Sequence, residues 1–538
     1  MITDKKEKIA LLDGLDVWHT KPVLNLPSVL MTDGPHGLRK QNDVKDHLGK
    51  SGSIPSTCFP TASLLACSFD KKLIKDVGKH IAIEAKTNNV HMVLGPGINI
   101  KRSPLCGRNF EYFSEDPYLT GELAASYVRG IEDEGVGTSV KHFFCNNQEK
   151  NRFFVDSIVD ERTMHEIYLK AFKRVVDENP ASIMASYNKI NGFYGTESPI
   201  INDVLRKEWG FKGIVVSDWG AISDRVNSLK AGCDLEMPSS VGYHEQILNE
   251  QSDQDPVLEQ AIEQSYERIA SFVKKYGKNH KVTFDQEKHH EFAIKAAAES
   301  IVLLKNDDIL PLQPLEKVCV ITGFDEMIRY QGGGSSHINP TKLDQIKDIY
   351  QSYSPNIKLT KGFRIDKDVD DQELIDEAII QAVKSDKVVM ILGLTDQMET
   401  EGFDRTHLNL PHNQINLLKR IADIHNNLVV VNLGGSVVNL SIENRVKGLI
   451  QAYLGGQGVA SAIFDILYGK VNPSGRLAET WIDHIDACNV QLTEDNHAVY
   501  YDESIYIGYR YYSSYNKPVH FPFGYGLSYS KITYHDFS

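Results

Sequence analysis

At 538 residues the chain exceeds one ordinary hydrophobic core, so two large domains are expected. Its 41% hydrophobic and 24% charged residues are those of a globular protein. Lys and Arg number 58 against 72 Asp and Glu, a net charge of −14 with no basic block, which excludes a nucleic-acid or anionic-membrane partner and leaves small neutral or cationic substrates open.

The N-terminal stretch MITDKKEKIALLDGLDVW has neither an apolar h-region nor a small-residue cleavage site, so no secretory signal is expected there. No apolar run approaches the roughly 18–20 residues that span a bilayer. The cysteines at 58, 67, 106, 145, 233, 319 and 488 are scattered and form no CxxC pair. They read as reduced thiols of a cytoplasmic protein rather than a disulfide framework or zinc site.

In chain order, short apolar runs alternate with helical patterns. The runs are SVLMTDG (28–34), VHMVLGPGINI (90–100), VGTSVKHFF (136–144), ASIMASYNKING (181–192), GIVVSDWG (213–220) and AGCDLEMP (231–238). Between them lie the helical stretches 119–133, 160–178 and 198–209. Strands separated by crossover helices make a parallel sheet, and this number of units predicts a (β/α)₈-type barrel. Five of the six runs end on a polar or charged side chain: Asp33, Lys141-His142, Tyr187, Asp218, Asp234. That is the pattern of strand C-termini lining one active-site mouth. Only 27 residues precede SVLMTDG, so a regular first βα unit is not expected.

The polar stretch that begins near 272 places a boundary, giving a barrel domain over 1–278, a linker over 279–296 and a second domain over 297–538. His289-His290 reads as solvated surface. The second half carries KVCVITG (317–323), KVVMILGL (387–394), NLVVVNLGG (427–435) and KGLIQAYLGG (447–456). Apolar residues spaced i and i+4 make 371–386 an amphipathic helix, and another opens at Pro411. This half is predicted as a doubly wound α/β sandwich of about six mostly parallel strands, making the whole chain α/β.

Several cofactor motifs fail. QGGGSS (331–336) and LGGQG (454–458) lack phosphate-loop spacing and read as tight turns. His165-Glu166 is followed by Leu169 where a zincin needs histidine. None of these motifs points to a metal or an organic cofactor. The remaining stretches suit a sugar. Asp33, Arg108, Lys141 and His142 can bind vicinal hydroxyls, and Trp219 can stack on a pyranose face. Asp218 ends the most apolar strand. Burial alone would raise its pKa, so cations such as Arg108 or Lys141 are needed to keep it charged.

TDGPHGLR, GRNFEYFSEDPYLTG, VKHFF, MASYNKING and VVSDWG together resemble the signature segments of the glycoside hydrolase family 3 β-glucosidases. So do ESIVLLKNDDILPL, ETEGFDR, YLGGQGVASAIFDILYGKVNPSGRLAETW and FPFGYGLSYS. The resemblance implies a barrel followed by an α/β sandwich, with the active site between them. It also implies cofactor-free hydrolysis with retention through a covalent glycosyl-enzyme. On it, Asp218 matches the nucleophile, Asp33 the carboxylate gripping the far side of the −1 sugar, and Arg108, Lys141 and His142 its other polar contacts. Tyr187 matches the tyrosine beside the nucleophile and Trp219 the subsite aromatic. As structural alternatives, Arg108 pairs with Glu111 or Glu115, and Lys141-His142 forms a polar core layer.

The resemblance further implies an acid/base from a variable second-domain loop, here ETEGFDR, with Glu401 favoured by its EGFDR portion and Glu399 by the ExxG spacing. The bland reading of that loop is a solvated turn paired with Arg405. Ser335 and Ser336 are candidates to reach the same cleft. Many family members continue beyond FPFGYGLSYS into a fibronectin type III-like domain, whereas this sequence ends eight residues later. The expected function is an exo-acting β-glucosidase on a small β-glycoside, with β-xylosidase and a non-catalytic sugar-binding paralogue as alternatives. A homo-oligomer stays open.

Overall fold

The computed structural model describes residues 4–23, 25–41, 52–279, 281–490, 492, 497–531 and 533. Most of the segment after FPFGYGLSYS, and the first three residues of the N-terminal stretch, lie outside the described residues.

In the first half five of the six apolar runs become β1 (Met31–Asp33), β2 (Met92–Leu94), β3 (Gly137–Phe143), β4 (Ser182–Ala185) and β5 (Ile214–Ser217), hydrogen-bonded in that order and all parallel, while AGCDLEMP contributes only isolated bridges. Every residue in these strands is buried. A parallel sheet is covered on both faces, which is why the runs are apolar without alternation. Irregular segments close the ring. Val216 bridges in parallel to Leu235 and Glu236 to Asp13, and antiparallel bridges Gly14–Thr20 and His19–Leu30 lead back to β1. A hairpin-like turn over 13–20 thus stands where a first βα unit would be.

Helices cross outside the strands. Asp70 caps Lys71–Thr87, and Asp116 with Pro117 opens Pro117–Glu132. The pattern at 160–178 forms Glu161–Thr163 and Lys170–Val176 joined by a wider turn, and 198–209 becomes Ile201–Glu208.

Within the expected 279–296 linker, a helix starts at Gln286 and runs to Ser300. The surface reading of His289-His290 is corrected, since both are buried. His289 Nδ1 lies 2.7 Å from Glu84 of the barrel, and His290 Nε2 lies 3.1 Å from Asp344 of the second half. Side chains that looked solvated are paired across a wedge between the domains.

The second half forms a six-stranded sheet of β6 (Val302–Asn306), β7 (Val318–Thr322), β8 (Ile357–Lys361), β9 (Lys387–Leu392), β10 (Leu428–Asn432) and β11 (Gly448–Gln451). Its order is β8-β7-β9-β10-β11-β6, parallel except for β6. Gln372–Val383 and His412–Ile424 are its periodic helices, with Pro411 as the residue just before the second. The loop leaving β9 contains ETEGFDR.

Several ties bind the halves. Ala498–Tyr500 pairs in parallel with Asp156–Ile158 of the barrel. Lys101 Nζ reaches Glu479 at 2.8 Å, and Arg102 grips Glu503 at 2.6 and 2.8 Å with its guanidinium over Tyr501. Among the described residues no helix is long and apolar enough to cross a membrane. All seven cysteines are free and six are buried.

Candidate active site

The barrel strands deliver their C-terminal side chains to one cavity, where Asp33, Arg108, Lys141, His142, Tyr187, Asp218 and Trp219 meet Ser335 and Glu401 of the second domain, with Trp18 and Met184 completing the wall. Asp33 ends β1, Lys141 and His142 lie within the end of β3, and Tyr187, Asp218 and Trp219 follow β4 and β5 directly.

Asp218 is 7% exposed. Its Oδ1 accepts the backbone N–H of Trp219 at 2.8 Å, while Oδ2 has no hydrogen-bond partner and lies 3.7 Å from His142 Nε2. Burial pushes its pKa up, and Arg108, Lys141 and Arg152 act against that rise. His142 is held neutral: burial, reinforced by Arg108 and Lys141, takes it well below its ordinary value. Asp33 faces Lys141 at 3.7 Å and Arg39 at 3.4 Å. Burial lifts its carboxyl to about 6 despite both cations.

The Trp219 indole is fixed by its Nε1–H bond to Val17 O at 2.7 Å and stands 5.5 Å from the ring of Trp18. Tyr187 donates its hydroxyl to Trp219 O at 3.0 Å.

Glu401 arrives on a tight turn. Thr400 bridges to Phe403, leaving Glu401-Gly402 at the tip with Gly402 at φ 92°. A residue at that φ is best a glycine. Glu401 Oε2 accepts the Ser335 N–H at 2.8 Å, and Oε1 accepts from Arg152 Nη1 at 2.8 Å with Arg108 Nη1 3.6 Å away. Burial opposes its ionisation, but Arg108, Arg152 and Ser335 outweigh burial and hold the carboxyl well below the usual range. QGGGSS is therefore more than a turn. Gly333 bridges to Thr400, and a Cβ on Gly334 would lie 2.4 Å from that of Glu401.

Glu399 goes elsewhere. It is 1% exposed, accepts from Gly435 N and Ser436 Oγ at 2.9 Å each, and faces Arg329 at 3.6 Å. It does not line the cavity. The solvated-turn reading of the loop also fails, because Arg405 is buried and donates to Ser436 and Val437 O.

GRNFEYFSEDP divides its labour. Arg108 both reaches the cavity and pairs with Glu111. Glu115 accepts from Thr480 N at 2.9 Å, Thr480 Oγ1 at 2.6 Å and Tyr509 N at 2.8 Å, stitching the barrel to the second domain. Asp116 and Pro117 start a helix.

The sequence reading missed Trp18, Arg39, Arg152 and Met184. Arg39 closes the already singled-out TDGPHGLR, and Arg152 lies ten residues past His142, a cation in a polar loop. Those are the signals that could have found them.

A cavity that offers carboxylates from two domains, cations for hydroxyls and a wall of two indoles is built for cleaving a glycosidic bond. Residues 14–272 match the glycosyl hydrolase family 3 N terminal domain and residues 301–529 the family's C-terminal domain. A thermostable beta-glucosidase B of Acetivibrio thermocellus is 47% identical over 99% of this chain and 72% of its own length. An exo-alpha-(1->6)-L-arabinopyranosidase of Bifidobacterium longum is 43% identical over 98% of this chain and 72% of its own. The crystal structure of a family 3 beta-glucosidase of Bifidobacterium adolescentis matches with a TM-score of 0.93 at 42% identity, covering 98% of this chain and 78% of that one. The glucose complex of a Kluyveromyces marxianus beta-glucosidase gives 0.92 at 27% identity, covering 98% and 84%. This chain belongs to glycosyl hydrolase family 3 and is a glycoside hydrolase.

Proposed function

We propose that the enzyme is a retaining, exo-acting β-glucosidase that releases terminal non-reducing β-D-glucosyl residues. Asp218 is the nucleophile and Glu401 the acid/base, while Asp33, Arg108, Lys141, His142, Tyr187 and Trp219 hold the −1 sugar. The observation that carries this reading is Asp218 Oδ2, buried and unpartnered in the cavity into which Glu401 projects. An oxygen without a partner in such a place needs an incoming group to justify its burial.

In the first step Oδ2 attacks the anomeric carbon as Glu401 gives its proton to the departing glycosidic oxygen. In the second, Glu401 takes a proton from water as that water displaces the sugar from Asp218. The protein's own charges favour the opposite distribution, with Asp218 raised by burial and Glu401 ionised by its arginines. Cleavage therefore runs through the arrangement with the proton on Glu401. The buried free cysteines support a reducing, cytoplasmic setting.

A second reading is a pentopyranosidase, favoured by the 43% identity to the arabinopyranosidase. Rates on p-nitrophenyl β-D-glucoside, β-D-xyloside and α-L-arabinopyranoside test both. Highest kcat/KM on the glucoside supports the first reading, and preference for either pentoside replaces it. Asp218→Asn is expected to lose roughly 10⁴-fold or more on every substrate. A fully active Asp218→Asn sinks the mechanism, and a wild type inert on all three substrates points to a non-catalytic paralogue.

A further inference from the structure

Behind Glu401 lies a second buried carboxylate, Glu149, on the loop leaving β3. Its Oε2 accepts from Arg152 Nη1 at 2.7 Å and from the Gly402 N–H at 2.8 Å, while Oε1 has no partner. The same Arg152 nitrogen stands 2.8 Å from Glu401 Oε1. One guanidinium nitrogen is thus divided between two carboxylates, one from each domain. The grip is reciprocal: Asp404 of the acid loop accepts from Gly107 N at 3.0 Å, Glu149 N at 2.9 Å and Lys150 N at 2.8 Å.

The charges around this point can be counted. Arg108 and Arg152 are cations, and Glu111, Glu149 and Glu401 are the carboxylates paired with them. Tyr187 lies against Arg152 as a neutral phenol, and the Asp404 carboxylate is taken up by backbone N–H groups. On the cavity side, Asp33 faces Lys141 and Arg39, and Asp218, beside the neutral His142, also draws on Arg108, Lys141 and Arg152. With Glu111, Glu149 and Glu401 all ionised, this group of five carries one net negative charge, which burial penalises; one bound proton removes it. Two carboxylates on one guanidinium titrate as a unit, so that proton belongs to the Glu149–Arg152–Glu401 group. Without the Glu149 carboxylate the group is already neutral with Glu401 ionised, and nothing retains the proton.

We infer that Glu149 is a positioning residue for Glu401: it anchors the acid loop through Gly402 and, by claiming a share of Arg152, keeps available to Glu401 the proton that bond cleavage needs. This rests on the acid/base reading of Glu401 above. Burial against the pull of Arg152 and Arg108 lifts Glu149 to about 7, in keeping with a group that holds a proton near neutrality.

The test compares wild type, Glu149→Gln, Glu149→Asp, Glu401→Gln and the double Glu149→Gln/Glu401→Gln on a 2,4-dinitrophenyl glycoside and on a disaccharide of the same sugar. Glu149→Gln still offers Gly402 an acceptor but removes the charge. It is expected to lose about tenfold or more on the disaccharide and under about threefold on the dinitrophenyl substrate, whose departure needs no proton. The alkaline limb of its kcat/KM profile moves down by about one pH unit. Glu149→Asp recovers most of both effects, and the double variant is no worse on the disaccharide than Glu401→Gln alone.

Equal losses on both substrates with an unmoved pH limb, or additive losses in the double variant, overturn the role of Glu149. If Glu401→Gln itself spares the disaccharide, the acid/base assignment fails and this inference with it. Unchanged circular dichroism in each variant separates either result from misfolding.

Discussion

Ser436 donates its hydroxyl to Glu399 Oε1 at 2.9 Å, and the bond lies inside the second domain, clear of the cavity where the neighbouring Glu401 sits. The backbone explains the divergence. An extended strand would send residues 399 and 401 to the same side. The turn closed by Thr400 and Phe403 instead lifts Glu401 to its tip, while Glu399 stays behind against Gly435. The two glutamates should therefore fail differently. Glu401→Gln is expected to lose about 10²–10⁴-fold on poor leaving groups, with azide restoring turnover and giving a glycosyl azide of retained configuration. Glu399→Gln removes the buried carboxylate facing Arg329 and leaves that guanidinium to the exposed Asp396, so it is expected to lower the thermal midpoint, with no azide rescue. Azide rescue of Glu399→Gln reverses the assignment.

The same turn marks where the sequence stops being legible. Asp33, Lys141, His142, Tyr187 and Asp218 end apolar runs, and a buried parallel strand must release its first polar side chain at the mouth, so run and residue were read together. Arg152 and Trp18 lie in segments without period; closure of the ring through 13–20 brings Trp18 to the cavity wall, and docking of the second domain sets Glu401 against Arg152. His289 and His290 misled because a charged helix face reads as solvated, unless one knows that Glu84 and Asp344 come to meet it. Half of GRNFEYFSEDP proved to be architecture, since Glu115 and Asp116 satisfy backbone N–H groups and touch no part of the cavity.

Gly107 shows how narrowly the acid loop is seated. A Cβ there would lie 1.8 Å from Phe403 O and 2.7 Å from Thr400 O, both backbone atoms of the Glu401 turn. Gly107→Ala must push the turn off the barrel and with it the Asp404 bond to its own N–H. A displacement near 1 Å of a catalytic group costs about 10²-fold in rate. The expected variant is folded by circular dichroism and loses kcat on that order, with Asp218 still labelled by a 2-fluoro glycoside bearing a good leaving group. Wild-type kcat would mean that the turn does not need this seat.

The tie between Lys101 and Glu479 has both side chains almost wholly buried, at 2% and 3% exposure. Breaking a buried pair from one side strands a charge and costs about 3–5 kcal/mol, whereas replacing both partners with apolar groups is often neutral. Lys101→Met should therefore be clearly destabilised in urea or heat, and Lys101→Met/Glu479→Leu should regain much of the loss. A double variant as weak as the single would show that Glu479 is held by its Tyr453 contact at 3.2 Å more than by the lysine.

Glu115 predicts a pH dependence of the domain junction. Burial lifts its carboxyl from 4.5 to about 7, against the pull of the Thr480 and Tyr509 donors. A raised acid binds more protons in the folded state than in the unfolded one across that interval. Its contribution to stability is therefore fully present below the unfolded value and is lost as pH rises through the folded one. At about 1.4 kcal/mol per unit, the effect is on the order of 3 kcal/mol. Glu115→Gln removes the titration while keeping an acceptor for Thr480 N. The gap in thermal midpoint between wild type and Glu115→Gln, positive at pH 5, should shrink by pH 8, because ionisation then costs only the wild type. A gap that holds steady or widens over that range would place the Glu115 pKa near its ordinary value and assign the junction to hydrogen bonding alone.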